Sequence, residues 1–367
     1  MQSLLVLESG DHFVGEPLGA RGRTTGEIVF VTGMTGYQEV LTDPSYAGQI
    51  VVFTYPLIGN YGVNADDFES AAVRPRGIVV LQACHEPSNW RSRQTLPDFL
   101  TQHGLVCIEG VDTRAVTRLI RDQGAMKATI TTDETEEEAL ARLRSEPEYG
   151  AQTFIQEVST QEAYCWGRYG REPFSPYAEG YRYQVVVLDC GIKYNILRRL
   201  AAAGCRSLVL PASTSAQEVL ALPADGIVLS PGPGDPELLT SIVGTVKDLL
   251  GRKPILGICL GHQMLALALG GRTAKLKFGH HGSNHPVRQL ADGTVRITSQ
   301  NHGYAVLADS LSGSGAELTQ IHVTDESVEG FRHRKLRLTA IQYHPEAAPG
   351  PWDSRHYIPD FLSSLER

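Results

Sequence analysis

The chain has 367 residues, of which 42% are hydrophobic and 20% charged, a composition typical of ordinary globular proteins. Its formal net charge of −8 argues against a broad nucleic-acid-binding surface. No apolar run approaches the ~20 residues that span a membrane, and the short apolar start, Ser3-Leu4-Leu5-Val6-Leu7, lacks the basic region of a signal peptide. Six scattered cysteines fit reduced thiols, so we expect a cytoplasmic protein.

The first half is predicted to be a β-rich, mixed α/β domain. Apolar segments typical of strands lie at residues 4–7, 27–31, 49–53 and 77–80, and helical patterns at 115–123 and 134–144. Residues from about 150 to 183 are rich in Gly, Pro, Tyr and Glu and show no clear period, which favours a linker. We therefore place a first domain at residues 1–180, with this linker at its end.

The second half, residues 184–367, alternates strand and helix patterns. Strands are predicted at 184–189, 207–210 and 226–230, and helices at 194–203, 216–222 and 238–250. Continuous apolar strands that alternate with helices indicate a doubly wound, mostly parallel sheet. Ligands bind such sheets at the carboxyl ends of the strands. Gly232 and Cys259 both follow predicted strands, so we expect them to lie at the same edge.

The segment Gly257-Ile258-Cys259-Leu260-Gly261 carries the clearest chemical signal. It follows an apolar strand and precedes a helical run, so the cysteine lies at a sharp strand-to-helix turn, as in a nucleophile elbow. The start of a helix favours a thiolate, and the N–H of Leu260 is placed to bind an oxyanion. A buried structural cysteine is the alternative, but the flanking glycines favour a nucleophile.

A cysteine nucleophile needs a base, and His344-Pro345-Glu346 offers a histidine and a carboxylate. Cys259, His344 and Glu346 would form a catalytic triad if the fold brings them together. The histidines at positions 280, 281 and 285 have no thiolate neighbours, so a structural or interface role is favoured over a metal site. Gly232-Pro233-Gly234 lacks the Gly-Lys-Ser/Thr ending of a phosphate loop, which argues against ATP binding in this chain.

Taken together, these motifs resemble those of the class I, triad-type glutamine amidotransferases. The first half narrows the resemblance to the small, glutamine-hydrolysing subunits of carbamoyl phosphate synthetases. The segments that carry it are residues 32–39 (TGMTGYQE), 42–46 (TDPSY), 59–62 (GNYG), 112–114 (DTR), 278–287 (FGHHGSNHPV), 299–305 (SQNHGYA) and 345–351 (PEAAPGP). Two departures are Pro231, where the family often has Asn, and Tyr304, where it has Phe.

The resemblance implies roles for particular residues. Cys259 would attack the glutamine carboxamide, His344 would move protons, and Glu346 would orient the imidazole. The implied glutamine-binding residues are Ser45, Gly232, Gly234, Leu260, Gln263, Asn301, Gly303 and Tyr304.

The resemblance also implies a partner. Ammonia would pass through a tunnel into a large subunit that makes carbamoyl phosphate from bicarbonate, using ATP and magnesium bound there. The expected assembly is a heterodimer or a higher oligomer of it, with no cofactor or metal in this chain and no membrane or nucleic-acid partner. Its product would serve arginine biosynthesis, pyrimidine biosynthesis or both.

Three other functions stay open at this point. Amidotransferase subunits for anthranilate or aminodeoxychorismate synthesis need only a domain like residues 184–367, so the first half argues against them. A cysteine hydrolase or peptidase with a similar elbow would turn over peptides instead of glutamine. A non-catalytic adaptor that docks on a synthetase would have an unreactive Cys259.

Overall fold

The structure is a computed structural model, and it describes residues 2–366. The chain separates into two compact units. The first contains the residues up to Gln152 together with Lys277–Gly282, and the second contains Thr153–Leu276 and the residues from Ser283 onward. No helix in the described residues is long and apolar enough to cross a membrane. The six cysteines are free thiols.

The first unit is built around a closed barrel. Its strands are β1 (Ser3–Leu7), β2 (His12–Gly19), β3 (Arg23–Val31), β4 (Gln49–Phe53), β5 (Leu57–Ile58), β6 (Gly77–Val79), β7 (Gln82–Ala83), β8 (Val106–Glu109) and β9 (Met126–Thr131). The barrel order is β1-β2-β8-β6-β4-β3-β9, while β5 and β7 pair separately. The β3–β4, β4–β6 and β6–β8 pairs are parallel.

Helices cover this barrel because its strands are apolar on both faces. Neighbouring residues such as Ile28 and Val29 belong to two different buried clusters, as the two-residue period of a strand requires. The helices are α1 (Tyr37–Thr42), α2 (Leu96–Gln102), α3 (Thr113–Gln123) and α4 (Glu136–Ser145). Thr135 and Glu138 form a capping box that starts α4.

The second unit contains an eleven-stranded sheet in the described residues. Its strands are β10 (Tyr164–Gly167), β11 (Gly170–Pro173), β12 (Tyr183–Asp189), β13 (Cys205–Pro211), β14 (Gly226–Leu229), β15 (Ile255–Ile258), β16 (Thr273–Gln289), β17 (Val295–Val306), β18 (Glu317–His322), β19 (Val328–His333) and β20 (Leu338–Ile341). The order is β11-β10-β13-β12-β14-β15-β20-β19-β18-β16-β17. Strands from β13 to β20 in this order run parallel.

Both faces of the parallel strands are buried. Val185 and Val187 of β12 belong to one apolar cluster and Val186 and Leu188 to the other, which explains the continuous apolar run. The covering helices are α5 (Ile155–Val158), α6 (Tyr194–Ala202), α7 (Ala216–Ala221), α8 (Thr240–Leu249), α9 (Leu260–Ala268) and α10 (Tyr357–Ser364). The expected fold class, a mostly parallel α/β sheet with a cysteine elbow after a β-rich unit, is confirmed.

The structure differs from the expected division of the chain at two places. The segment expected as a linker carries α5, β10 and β11, and β10 pairs antiparallel with β13 at the sheet edge. Tyr164 and Trp166 are buried in one of the two apolar clusters of the second unit and Cys165 in the other. The β10–β11 hairpin therefore contributes to the core on both faces of the sheet. The residues Lys277–Gly282 within β16 belong to the first unit, where Phe278 stacks on Phe30.

Candidate active site

Cys259 lies at a strained turn between β15 and α9. Its φ of 54° and ψ of −105° are unusual for a non-glycine residue, and its side chain is buried. Two glycines make the turn possible. A Cβ at Gly261 would collide with the Leu229 carbonyl, and a Cβ at Gly257 would lie 2.5 Å from a methyl carbon of Leu265. The backbone at Cys259 therefore adopts the sharp strand-to-helix turn that the sequence predicts.

His344 follows β20, next in the sheet to the strand before Cys259. The backbone N–H of His344 donates to the Ser299 carbonyl at 2.9 Å. Its Nδ1 lies 2.8 Å from Oε1 of Glu346, and both side chains are buried. The parallel pairing of β15 and β20 brings the cysteine and the histidine, 85 residues apart in sequence (344 − 259), to the same edge.

The Glu346 carboxylate also binds Lys193, which sequence reasoning did not single out. Nζ of Lys193 lies 2.9 Å from Oε1 of Glu346 and donates to the Ala348 carbonyl at 2.6 Å. The Asn195 side chain donates to the backbone carbonyl of Glu346 at 2.8 Å. Lys193 follows β12 just before α6, and this position at the carboxyl end of a parallel strand was the available signal.

Charges determine the protonation of this buried group. Burial and the nearby Lys193 lower the pKa of His344, but the Glu346 carboxylate and a hydrogen bond with Cys259 together outweigh them and raise the pKa to about 10. Burial raises the pKa of Glu346, but Lys193 and His344 outweigh it and bring the value to about 2. The imidazole is therefore cationic and the carboxylate anionic at neutral pH.

The loop after β14 packs against the start of α9. Ser230 Oγ accepts from the Cys190 N–H and donates to the Pro231 carbonyl, both at 2.8 Å. A Cβ at Gly232 would collide with the Cys190 carbonyl and would lie 2.7 Å from a methyl carbon of Leu260. Gly234 has a φ of 91°, in the left-handed region that favours glycine.

The segment 301–304 of β17 lies beside Cys259 and Gln263. The Cys259 thiol lies 3.5 Å from the Asn301 carbonyl, and Nε2 of Gln263 donates to the Tyr304 carbonyl at 2.8 Å. Gln342, which sequence reasoning also missed, accepts from Gln263 at 3.1 Å and has its Nε2 3.8 Å from Sγ of Cys259. Gly303 has open space around it, because a Cβ there would meet nothing within 4 Å.

The second unit thus contains all the predicted site residues except one. Ser45 belongs to the first unit, in the turn Pro44–Tyr46, where its N–H donates to Oδ1 of Asp43 at 2.9 Å. Ser45 is buried, and its hydroxyl has no hydrogen-bond partner among the described residues. Its role in binding glutamine stays a prediction.

The histidine-rich segment places His285 beside another histidine. Nδ1 of His285 lies 3.2 Å from Nε2 of His322, whose Nδ1 lies 3.2 Å from Oδ1 of Asp325. Ring nitrogens in such contacts serve each other as hydrogen-bond partners. The expectation that this chain holds no metal stays a prediction.

Comparisons with known proteins identify the families that the two halves of the chain match. Residues 186–364 match the family model of class I glutamine amidotransferases. Residues 5–130 match the model described as carbamoyl-phosphate synthase small chain, CPSase domain. A cysteine elbow on a parallel sheet, facing a histidine and a carboxylate, together with the first match, defines a class I glutamine amidotransferase domain.

Full-length relatives narrow the family. The carbamoyl phosphate synthase small chain of Syntrophotalea carbinolica is 50% identical, covering 100% of this chain and 98% of that one. The small chain of Solidesulfovibrio magneticus is 49% identical, covering 100% and 99%. The pyrimidine-specific small chain of Bacillus subtilis is 46% identical, covering 100% and 96%. The chain belongs to the family of carbamoyl phosphate synthase small chains.

Proposed function

We propose that this chain hydrolyses glutamine to glutamate and ammonia, with Cys259 as the nucleophile. The observation that carries the proposal is the strained elbow at Cys259 in the same buried site as the His344–Glu346 pair. An imidazolium beside a thiol favours the thiolate, which is the reactive form of cysteine. The alternatives of a structural cysteine and a non-catalytic adaptor give no reason for a buried, strained cysteine in this setting.

In the first half-reaction, the Cys259 thiolate adds to the side-chain carboxamide carbon of glutamine. The tetrahedral intermediate collapses when its C–N bond breaks, and the His344 imidazolium gives its proton to the leaving nitrogen, which departs as ammonia. The product on the enzyme is a γ-glutamyl thioester. Glu346 holds His344 in orientation through Nδ1, so that Nε2 is the nitrogen available for proton transfer.

In the second half-reaction, neutral His344 takes a proton from water, and the resulting hydroxide attacks the thioester carbon. The C–S bond breaks, glutamate leaves, and Cys259 returns to a thiolate beside a protonated His344. The same histidine therefore acts once as acid and once as base.

The negative oxygen formed in both steps needs hydrogen-bond donors. Leu260 is the first residue of α9, so its N–H has no intrahelical partner, and Gly232 packs against the Leu260 side chain. We assign the N–H groups of these two residues to the oxyanion. The remaining expected contacts to glutamine involve Ser45, Gly234, Gln263, Asn301, Gly303 and Tyr304.

The ammonia would be used by a large partner chain. Free ammonia is lost unless hydrolysis is coupled to its consumption, and the first unit offers a fold beyond what glutamine hydrolysis needs. The partner would bind ATP and magnesium and combine the ammonia with bicarbonate to give carbamoyl phosphate, in a complex with one small and one large chain as its repeating unit. The name of the relatives, small chain, supports this pairing.

A substitution at Cys259 tests the proposal. The complex with the large chain, carrying Cys259→Ser, should lose carbamoyl phosphate synthesis from glutamine and keep synthesis from added ammonia. Cys84→Ser, at a partly buried thiol of the first unit, is the matched control and should keep both activities. Glutamine-dependent synthesis retained by Cys259→Ser would reject the assignment.

A further inference from the structure

The strand that carries Asn301 has a second face with its own polar network. Side chains alternate along β17, so Gln300 and His302 lie on the opposite side from Asn301 and Gly303. Gln300, His302 and Glu329 are all buried, and Glu329 is fully inaccessible on β19. Buried polar side chains are costly unless they are hydrogen-bonded, so the hydrogen bonds of these three side chains constrain their protonation.

The contacts form a continuous chain. Nε2 of Gln300 donates to Oε2 of Glu329 at 2.7 Å and to Oγ1 of Thr298 at 3.2 Å. Oε1 of Gln300 lies 2.8 Å from Nε2 of His302, and Nδ1 of His302 lies 2.8 Å from the Tyr304 carbonyl. Each of these distances is within the range of a hydrogen bond.

The direction of these hydrogen bonds follows from Thr298. Its hydroxyl donates to the His285 carbonyl at 2.9 Å, so its oxygen faces Gln300 as an acceptor. The amide nitrogen of Gln300 must therefore be the atom that faces Thr298 and Glu329. The reverse amide orientation would place its oxygen against an acceptor and would take the Thr298 proton away from the His285 carbonyl.

This orientation determines the protonation of His302. The oxygen of Gln300 can only accept, so Nε2 of His302 carries a proton, and the Tyr304 carbonyl can only accept, so Nδ1 carries one as well. His302 is then an imidazolium cation. The Glu329 carboxylate supplies the opposite charge, with Oε1 3.9 Å from Nε2 of His302.

We propose that Glu329 is a positioning residue for glutamine binding, acting through Gln300 and a protonated His302 on the strand segment 301–304. The inference rests on the proposed function, because that segment is expected to contact glutamine. The Tyr304 carbonyl that accepts from His302 also accepts from Gln263 at 2.8 Å. The backbone carbonyl of Glu329 accepts from the N–H of Gln342, whose side chain reaches Cys259.

The physical effect is to hold the 301–304 segment of β17 in one position relative to β19. A buried ion pair contributes little net stability, but it strongly disfavours arrangements that separate its charges. Loss of the Glu329 charge removes the carboxylate that faces His302 at 3.9 Å, so His302 loses a proton and one of its two hydrogen bonds. The segment 301–304 then has more than one accessible pose, and glutamine binding must select one of them.

The kinetic test compares Glu329→Gln with Glu317→Gln in the complex of the chain with its large partner. Glu317 lies on the adjacent strand β18, is exposed, and pairs with Arg332 and Arg334, so it controls for loss of a carboxylate on the same sheet. The KM for glutamine should rise about 10- to 100-fold in Glu329→Gln, as for a lost charged hydrogen bond, with ammonia-dependent synthesis unchanged. Glu317→Gln should leave both unchanged. An unaltered KM in Glu329→Gln would overturn the proposal.

A second measurement needs no functional assay. In the full chain labelled with ¹⁵N-histidine, both ring nitrogens of His302 should carry protons at neutral pH, and one should lose its proton in Glu329→Gln. The His302 signal is assigned by its absence from His302→Gln. A singly protonated His302 in the unsubstituted chain would overturn the proposal. Failure of Cys259 as nucleophile would leave this spectrum unchanged, so the two failures are distinguishable.

Discussion

The ammonium of Lys193 lies 2.9 Å from Oε1 of Glu346, with both side chains buried. The same oxygen accepts from Nδ1 of His344 at 2.8 Å. Glu346 therefore balances two cations, and in the proposed mechanism Lys193 keeps the carboxylate ionised while His344 changes its protonation. The proposed site therefore contains four ionisable side chains. Lys193 joins Cys259, His344 and Glu346, the triad expected from the sequence.

Removal of Lys193 should destabilise the second unit. Lys193→Met leaves Glu346 with a single cation and should lower the free energy of unfolding by about 3–5 kcal/mol, as for breaking a buried ion pair. Lys193→Met combined with Glu346→Gln should lose less than the sum of the two single losses, because no unpaired buried charge remains. Urea unfolding followed by Trp166, which is buried in this unit, measures both effects. Strictly additive losses would contradict the coupling.

Substitution of Glu346 should change the pH dependence of catalysis. Burial and Lys193 lower the pKa of His344, and Glu346 makes the largest contribution to raising it to about 10. In Glu346→Gln the imidazolium is lost at a lower pH, so the alkaline limb of kcat should move to lower pH, where the proton for departing ammonia is already missing. Activity should remain above that of Cys259→Ser, because orienting residues are partly dispensable. Glutamate release between pH 7 and 10 is the measurement, and an unmoved limb would count against this role.

His262 should make the second unit sensitive to acid. It is fully buried on α9 against Phe331, and burial lowers its pKa to about 3. In the unfolded chain it takes up a proton near its ordinary pKa of 6.5, whereas the folded chain does not. The contribution of His262 to the free energy of unfolding is therefore fully present above pH 6.5. It falls by about 1.4 kcal/mol per pH unit as the pH drops from 6.5 toward 3.

His262→Leu removes this proton uptake, so its unfolding free energy should lose about 2 kcal/mol less than that of the unsubstituted chain between pH 6.5 and 5. Urea midpoints at several pH values give the slopes. Parallel slopes for His262→Leu and the unsubstituted chain would show that His262 does not control this dependence.

The elbow glycines should be intolerant of a methyl group. A Cβ at Gly261 would meet the Leu229 backbone carbonyl, which cannot move without breaking β14, so Gly261→Ala should cost about 1–3 kcal/mol of stability and most glutaminase activity. Gly244→Ala, at an exposed position of α8, is the matched control. A Cβ there meets nothing within 4 Å, so this substitution should stabilise the protein by about 0.5–1 kcal/mol. Calorimetry and glutamate release separate the two, and equal effects would refute the steric argument.

The sequence predicted the parts of the fold that local patterns encode. Continuous apolar runs such as Val185–Leu188 marked the buried parallel strands, and the glycines around Cys259 marked the elbow. The hairpin β10–β11 was missed because its strands are four residues each and Gly and Pro interrupt it. The assignment of Lys277–Gly282 to the first unit depends on contacts such as Phe278 with Phe30, which lie far apart in the sequence.

The same distinction applies to the site. Cys259 and His344 stand in local motifs, so their positions could be predicted from the sequence. Lys193 and Gln342 have no motif of their own, and their importance appears only when the sheet brings them to Glu346 and to Cys259. In the sequence, only their positions shortly after the carboxyl end of a strand could have identified Lys193 and Gln342 as site residues.

The isolated chain should be a poor glutaminase. Hydrolysis that runs without a consumer wastes ammonia, and the first unit is folded around a barrel of its own. We expect the large partner, with ATP and bicarbonate present, to bind more tightly to the form of this chain whose site is competent. Binding then shifts the population toward that form and raises the rate of glutamine hydrolysis.

The measurement is glutamate release by the chain alone and by the reconstituted complex, at saturating glutamine, with and without ATP and bicarbonate. A rise of about 5- to 150-fold in the complete complex corresponds to the usual range of coupling between sites. Reciprocity applies to binding free energies, so any factor by which the large chain tightens glutamine binding is also the factor by which glutamine tightens binding of the large chain; a titration of the two chains can measure this with the Cys259→Ser variant, in which glutamine is not consumed. Equal rates of glutamate release for the isolated chain and the complex would show that the small chain works independently of its partner.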